Sequence, residues 1–211
     1  MTCKNLKRIL FDVCLSNGLR ESKCFELARA AKYSGPIAER IVEGGPLMKW
    51  QRAAIRRPNI MVAFVAADFD ISMKVTHNDW NRVLSYVVKT GLFSLIPKAV
   101  AGGAAPNEIE VNFYDNEPSK DGPKVPLICK AACMRDSRGL ERLLEAGAAL
   151  DNEETLRLSL NLASESDLSE NMVLLRTALS ACELRKGIRS AAIPGYQLES
   201  NSRPTTLRDI L

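Results

Sequence analysis

Histidine is the scarcest catalytic residue type in this chain, with a single copy, His77, among 211 residues. A serine or cysteine triad that uses histidine would have to include it, and a zinc site could draw on it only once. The phosphate-loop pattern G-x-x-x-x-G-K-[ST], the dinucleotide pattern G-x-G-x-x-G and the hydrolase pattern G-x-S-x-G are also missing. We therefore expect a protein that is not an enzyme and that needs no cofactor.

Long hydrophobic runs and paired cysteine motifs are absent as well. No apolar stretch approaches the roughly 18 residues that would span a bilayer, and the N-terminal segment lacks the long apolar core and cleavage site of a signal peptide. None of the six cysteines forms a C-x-x-C pair, and each lies beside apolar residues: Cys3, Cys14, Cys24, Cys129, Cys133 and Cys182. This usage favours buried free thiols in a reducing, cytoplasmic setting over a disulfide framework.

Two residue pairs have both a chemical and a structural interpretation. Cys129 and Cys133 lie four residues apart, a spacing that can chelate a metal on a helix, but no second ligand pair accompanies them. Asp68 and Asp70 lie two residues apart at the entry of a predicted strand, hence on one face, and could bind a metal, although carboxylates are commoner at strand entries than at metal sites. Packing and strand-entry roles are favoured, and we predict no metal site.

The formal net charge of +4 hides an asymmetry along the chain. Residues 1–60 hold twelve Lys/Arg against five Asp/Glu, whereas residues 101–211 hold thirteen against seventeen. A basic front and a mildly acidic back suit a polyanionic partner or head-to-tail self-association.

The first half of the chain is predicted to be helical at its start and to contain a strand near its centre. Apolar spacing and Gly/Pro breaks predict helices over 3–16 and 21–33, then two short helices begun by Pro36 and Pro46, the second ending at Arg57. The apolar run 60–67 fits a buried strand or a buried helix equally well. Strict alternation predicts a strand over 69–75, and a Thr76–Asp79 capping box predicts a helix that ends at Gly91. That helix buries Trp80, Val83, Leu84, Val87 and Val88.

The second half is predicted to be helical after one strand and a turn-rich boundary. Residues 101–106 are interpreted as a flexible joint, 108–114 as a strand and 115–124 as the interior boundary. Helices follow at about 126–135, 138–146, 152–163 and 168–186, the last of them ended by Gly187. The predicted fold class is mostly α (α+β). The predicted organisation is a basic helical region with short strands (1–114), a C-terminal helical lobe (125–187) and an irregular tail (188–211).

Residues 121–150 combine a turn, a proline-led helix, a pair of alanines and a helix closed by glycine. The stretches are Asp121-Gly122, Val125-Pro126-Leu127-Ile128, Ala131-Ala132 and Leu143-Leu144-Glu145-Ala146-Gly147-Ala148. This order resembles a single ankyrin repeat. The resemblance implies a helical hairpin that docks onto protein, with a docking face formed by Leu140, Leu143 and Leu144.

The segment KWQRAAIRRP carries the densest basic pattern in the chain. Lys49, Arg52, Arg56 and Arg57 follow i, i+3, i+7, i+8 spacing, which predicts one stripe of cations along a helix. Trp50 lies at its edge, where it could stack on a base or anchor the core, and three cations from preceding helices widen the patch: Arg29, Lys32 and Arg40.

The pattern predicts a non-enzymatic protein that binds nucleic acid, RNA before DNA, or another polyanion. In this prediction the C-terminal helices mediate protein contact or self-association. The alternative is a protein-interaction adaptor that uses the ankyrin-like hairpin and binds no nucleic acid.

Overall fold

The computed structural model describes residues 5–112 and 124–191. The chain is mostly α-helical with a small two-stranded antiparallel sheet, which confirms the predicted fold class. It divides into two compact units, unit 1 (Met1–Ala105) and unit 2 (Pro106–Leu211). Most of the predicted boundary at 115–124 lies outside the described residues.

Unit 1 is built from helices, some of which begin or end at the glycine and proline positions of the sequence. Its described helices are α1 (Leu6–Ser16), α2 (Glu21–Ala30), α3 (Ser34–Val42), α4 (Lys49–Ile55), α5 (Pro58–Ala66), α6 (His77–Thr90) and α7 (Ile96–Ala101). Pro58 begins α5, a position where the missing N–H costs nothing. The helix predicted to begin at Pro46 begins instead at Lys49 and ends before Arg56.

The apolar run at 60–67 belongs to a helix and not to a strand. This helix, α5, forms the centre of unit 1. Its residues from Ile60 to Ala66 are all buried, and it packs against α1, α2, α3, α4 and α6. A helix that is apolar on every side is stable only when neighbours surround it, as they do here.

Helix α6 agrees with the predicted capping and burial. The Asp79 carboxylate accepts from the Thr76 backbone N–H at 2.9 Å, and Thr76 accepts from the Asp79 amide in return. Gly91 ends the helix with a left-handed φ of 80°. The five predicted core residues are all buried: Trp80, Val83, Leu84, Val87 and Val88.

The strand predicted over 69–75 is wrong. Residues Ser72–Lys74 form a 3-10 turn instead. The Asp70 carboxylate accepts from the Ser72 amide at 2.9 Å and from its hydroxyl at 2.7 Å, and this local pairing favours a turn over extended backbone. Met73, one of the apolar residues of the alternating pattern, is 89% exposed.

The described part of unit 2 contains one antiparallel pair of short strands and four α-helices. Strand β1 (Glu110–Asn112) pairs antiparallel with β2 (Lys124–Pro126), with Val111 opposite Val125. The predicted strand at 108–114 is therefore confirmed at its centre. The helices are α8 (Leu127–Ala132), α9 (Arg138–Glu145), α10 (Glu153–Glu165) and α11 (Ser169–Ala191), all close to their predicted places.

Helix α11 does not stop at Gly187 as predicted but continues to Ala191. A glycine inside a helix costs only about 1 kcal/mol relative to alanine, so glycine alone does not end a long helix. The predicted irregular tail therefore begins with helical residues, and its remainder, 192–211, lies outside the described residues.

The free thiols are confirmed for the described cysteines, since all five are unbridged, and Cys14, Cys24, Cys129 and Cys182 are buried. Burial, together with the neighbouring Cys24, raises the pKa of Cys14 to about 12. Cys3 lies outside the described residues. In the described parts of the chain, no helix combines the length and the apolar character needed to cross a membrane.

Candidate nucleic-acid interface

Helix α4 turns an apolar side inward and a basic side outward. Gln51, Ala54 and Ile55 are buried, whereas Lys49 and Arg52 are exposed one turn apart. The Gln51 side-chain oxygen accepts from the Met48 amide at 2.9 Å and so fixes the beginning of the helix. The predicted stripe of cations is thus present at its first two positions.

Arg56 has a structural role at the end of α4. Its guanidinium lies 3.8 Å from the Asp79 carboxylate, which is only 8% exposed and also caps α6. A carboxylate this far from water needs a nearby positive charge, since an unpaired buried charge is costly. Arg56 therefore holds α4 and the cap of α6 together, and less of its charge is available to a ligand.

Reversing the charge of Arg56 should destabilise unit 1. We expect Arg56→Glu to lower the free energy of unfolding by about 2 kcal/mol, because it places a like charge beside the Asp79 carboxylate. The half-exposed position of Arg56 keeps the effect below that of a fully buried pair. Urea denaturation measures it. Arg52→Glu, on the same helix, is the matched control and should change stability by less than about 0.5 kcal/mol; equal losses in both variants would contradict the role of the Arg56–Asp79 pair.

Arg40 is also engaged within the protein. Its Nε donates to the Pro46 carbonyl at 3.3 Å, and its guanidinium lies 3.6 Å from Glu43. A β-carbon at Gly45 would lie 2.6 Å from the guanidinium carbon, so only glycine lets the arginine lie across this turn. The sequence places Arg40 in the basic patch, whereas these contacts make it a clamp for the turn before α4.

Trp50 is not a core anchor. Its side chain is 46% exposed, and the indole contacts the ring of Tyr33 edge-on, with centroids 5.8 Å apart and planes at 66°. Tyr33 is itself 39% exposed, and the ammonium of Lys32 lies 4.7 Å from the centre of its ring. This places two accessible aromatic rings and a cation side by side.

Tyr33 also borders a surface depression of about 510 Å³, which we call the basic cleft. It is lined by residues from the end of α2, the link that follows it and the beginning of α5: Glu26, Arg29, Ala30, Lys32, Tyr33, Arg57, Asn59 and Ile60. The Asn59 side-chain amide donates to the Ala30 carbonyl at 2.9 Å, which ties α5 to the end of α2. That bond brings Arg57 to the same cleft as Arg29.

The basic cleft and α4 together carry an excess of positive charge. Three carboxylates in this part of unit 1 already have a cation: Glu26 pairs with Lys23 at 2.9 Å, Glu43 with Arg40, and Asp79 with Arg56. Within the described residues, no carboxylate pairs with the remaining cations, which are Arg29, Lys32, Lys49, Arg52 and Arg57. Unpaired cations around a concave surface attract and retain an anion.

The other candidate residues are occupied by structural contacts. The His77 Nδ1–H donates to the Gly103 carbonyl at 2.6 Å, and its Nε2 lies 3.2 Å from the Asn81 amide nitrogen. Asp68 pairs with Lys98 at 2.8 Å. The Cys129 thiol lies 3.3 Å from the Ser159 hydroxyl inside unit 2.

The predicted docking leucines lie in the core of unit 2. Leu140, Leu143 and Leu144 are all buried, so their side chains are inaccessible to a partner. Their spacing marks one apolar face of α9, and that face packs against α8 and α11. Periodicity identifies an apolar face but cannot tell a core contact from a docking surface.

Tyr33 and Asn59 were missed as site residues, and Arg29 and Lys32 were placed at the margin of the patch. The sequence gives little sign that these residues share a site. Arg29 and Lys32 lie at the end of one helix, and Arg57 lies 25 residues after Lys32 in the chain. Only the packing of α2 against α5 joins them.

The chain matches no protein-family model, no curated protein and no solved structure. The resemblance of residues 121–150 to an ankyrin repeat accordingly stays a prediction, and the candidate interface rests on the contacts described above.

Proposed function

We propose that this protein binds nucleic acid, RNA in the first instance, through phosphate contacts made by the basic cleft and helix α4. The observation that carries the proposal is a cleft with an aromatic rim that is lined by three cations, Arg29, Lys32 and Arg57, none of them paired with a carboxylate within the described residues. Two further exposed cations, Lys49 and Arg52, lie on α4. Phosphate charge dominates the affinity of such interfaces and does not depend on base sequence. The cysteine usage favours the reducing cytoplasm as the compartment.

The distribution of charge along the chain supports placing the activity in unit 1. Residues 1–105 hold sixteen Lys/Arg against eight Asp/Glu, whereas residues 106–211 hold thirteen against seventeen. A polyanion is therefore attracted to unit 1 and weakly repelled by the net charge of unit 2.

The test is binding of a labelled single-stranded RNA, followed by fluorescence anisotropy at several salt concentrations. If all five cations contact phosphates, the logarithm of the binding constant should fall with the logarithm of salt concentration with a slope of about −3 to −4. We expect Arg29→Glu/Arg57→Glu to weaken binding at least tenfold, on the order of the loss of two phosphate contacts at low salt. Arg57→Glu also places a carboxylate at the N-terminus of α5, where negative charge is favourable, so the fold should persist.

The matched control changes the net charge equally on unit 2. Arg135 and Arg176 are exposed and make no ion pair within the described residues. Arg135→Glu/Arg176→Glu should leave RNA affinity within about twofold, since it removes no phosphate contact. Equal losses in both double variants would show that overall charge, and not the basic cleft, governs binding. No binding of RNA at low salt would overturn the proposal.

The second candidate function is contact with protein or self-association through unit 2, and the observation that favours it lies on α11. Val173, Leu184 and Ile188 are exposed large apolar side chains on this helix. Exposed apolar residues that repeat along a helix are typical of protein contact surfaces. Such a contact would persist in salt, whereas phosphate binding would not. This candidate replaces the predicted hairpin leucines with α11.

A further inference from the structure

The rim of the basic cleft carries two aromatic rings, which attraction between charges alone does not require. Trp50 lies in the first turn of a seven-residue helix whose buried residues are Gln51, Ala54 and Ile55. The indole therefore contributes little to the core, yet it is held by its edge contact with Tyr33. An exposed tryptophan beside unpaired cations is typical of surfaces on which nucleic-acid bases stack.

The two rings are not equivalent. The Tyr33 ring already has two contacts, one with the Lys32 ammonium that lies over it and one with the indole of Trp50. Trp50 has the larger exposed fraction and contacts no cation among the described aromatic pairs. Trp50 is therefore the ring with a face accessible to a base. Tyr33 and Lys32 fix the position of its indole.

The cleft and the adjoining indole suit an unpaired nucleotide better than a duplex. A volume of about 510 Å³ lies in the range of sites for small molecules, about 300–1,000 Å³, and so suits one or two nucleotides. A duplex hides its base faces in the stack and offers only its backbone, whereas an unpaired nucleotide presents a base face and a phosphate together. Tyr33 lines the cleft and contacts Trp50, so the phosphate and base positions are adjacent.

We infer that the basic cleft and Trp50 form a site for single-stranded nucleic acid. In this site a phosphate lies against Arg29, Lys32 and Arg57, and the neighbouring base stacks on the indole of Trp50. The inference rests on the proposed function and adds a class of ligand to it, namely unpaired nucleotides. It assigns Trp50 a role in selecting single strands over duplexes. It assigns Arg57 a role in the affinity for phosphate.

The experiment compares three ligands: a twelve-nucleotide oligouridylate, a duplex RNA of the same length and inorganic polyphosphate. Binding is followed by competition against the labelled strand and by tryptophan emission. We expect the single strand to quench the emission and polyphosphate to bind without quenching. Trp50→Ala should weaken oligouridylate binding by about 5- to 100-fold, the range for loss of one stacked base. It should leave the affinity for polyphosphate and the salt slope unchanged, because it removes no charge.

Trp50→Phe is the conservative variant and keeps an aromatic face. We expect it to recover most of the affinity for oligouridylate, because phenylalanine keeps a face on which a base can stack. A general packing role for Trp50 would instead lower the affinity of Trp50→Ala for polyphosphate as well. Trp80 is buried and serves as the internal emission reference. Unchanged oligouridylate binding in Trp50→Ala, or equal affinity for duplex and single strand, would overturn the stacking inference but leave the proposed function standing. Absence of binding to all three ligands at low salt would overturn both.

Discussion

Asn171→Asp is expected to lower the free energy of unfolding of unit 2 by about 4 kcal/mol at neutral pH, because it buries a negative charge against two carbonyl oxygens. The side-chain amide of Asn171 donates to the Ala132 carbonyl at 2.9 Å and to the Met134 carbonyl at 2.8 Å. The residue is 1% exposed, and its side-chain oxygen has no hydrogen-bond partner in the described structure. Aspartate preserves the shape of the side chain but removes both donors.

The pH dependence of this variant gives the sharpest measurement. Burial and the facing carbonyls should raise the pKa of the introduced carboxyl in the folded state, because both disfavour the charged form. The folded protein then binds the proton more tightly than the unfolded chain does, so the loss of stability is largest above the folded pKa and shrinks as pH falls through it. Thermal unfolding at pH 7 and pH 5 tests this, and we expect a fall of roughly 10 °C or more at pH 7 that is partly recovered at pH 5.

Asn161→Asp on α10 is the matched control, since the side chain of Asn161 is exposed and makes no hydrogen bond within the described residues. The control should change the melting temperature by little at either pH. A melting temperature for Asn171→Asp within about 2 °C of the unchanged protein at pH 7 would show that the two carbonyls do not depend on this amide.

The sequence predicted the features of the fold that depend on neighbouring residues. The Thr76–Asp79 capping box, the glycine that ends α6 and the apolar stripe of α6 are each contained in one segment, and each is confirmed. The prediction at 69–75 was wrong because two patterns overlap there. The alternation of apolar and polar residues indicates a strand, whereas the Asp-x-Ser sequence favours a turn. The turn prevails here because the Asp70 carboxylate satisfies the Ser72 amide and hydroxyl locally.

The candidate site was predictable only in part, because its centre depends on tertiary packing. The exposed cations of α4 follow from spacing, and Lys49 and Arg52 are exposed as expected. The basic cleft needs the Asn59–Ala30 hydrogen bond that joins α5 to α2, and no local pattern signals that bond. Arg40 and Arg56 illustrate the converse, since both belong to the basic pattern but are engaged by Pro46, Glu43 and Asp79. Spacing shows where a charge lies along the chain but not which charges the protein itself neutralises.

The glycines of residues 101–106, predicted to form a flexible joint, have a packing role instead. Gly102 lies against the six-membered ring of Trp80, and a β-carbon there would lie 2.5 to 2.6 Å from three ring atoms. The following residues are held to α6, since the Gly103 carbonyl accepts from His77 and the Ala105 amide donates to the Asn81 side chain at 2.8 Å. The segment is thus clamped to α6 directly after the close approach.

Gly102→Ala is expected to destabilise unit 1 by about 3 kcal/mol, because the added methyl must displace a rigid, buried ring or break the clamp to His77 and Asn81. Backbone strain does not contribute, since Gly102 has φ −73°, which alanine adopts freely. Urea denaturation measures the loss. Gly187→Ala on α11 is the control, and we expect it to have the opposite effect. A β-carbon there meets no atom within 4 Å, so the substitution should raise the free energy of unfolding by up to about 1 kcal/mol.

A double-mutant cycle with Trp80→Phe tests whether the contact is the cause. Phenylalanine lacks the outer atoms of the indole, so Gly102→Ala should cost much less in the Trp80→Phe background than in the unchanged protein. We expect a coupling free energy of about 1–2 kcal/mol between the two positions, within the range for residues in contact. Additive effects would place the cost of Gly102→Ala in the backbone of residues 101–105. A coupling in the expected range would establish that the approach of Gly102 to the Trp80 ring causes most of the loss and joins this segment to α6.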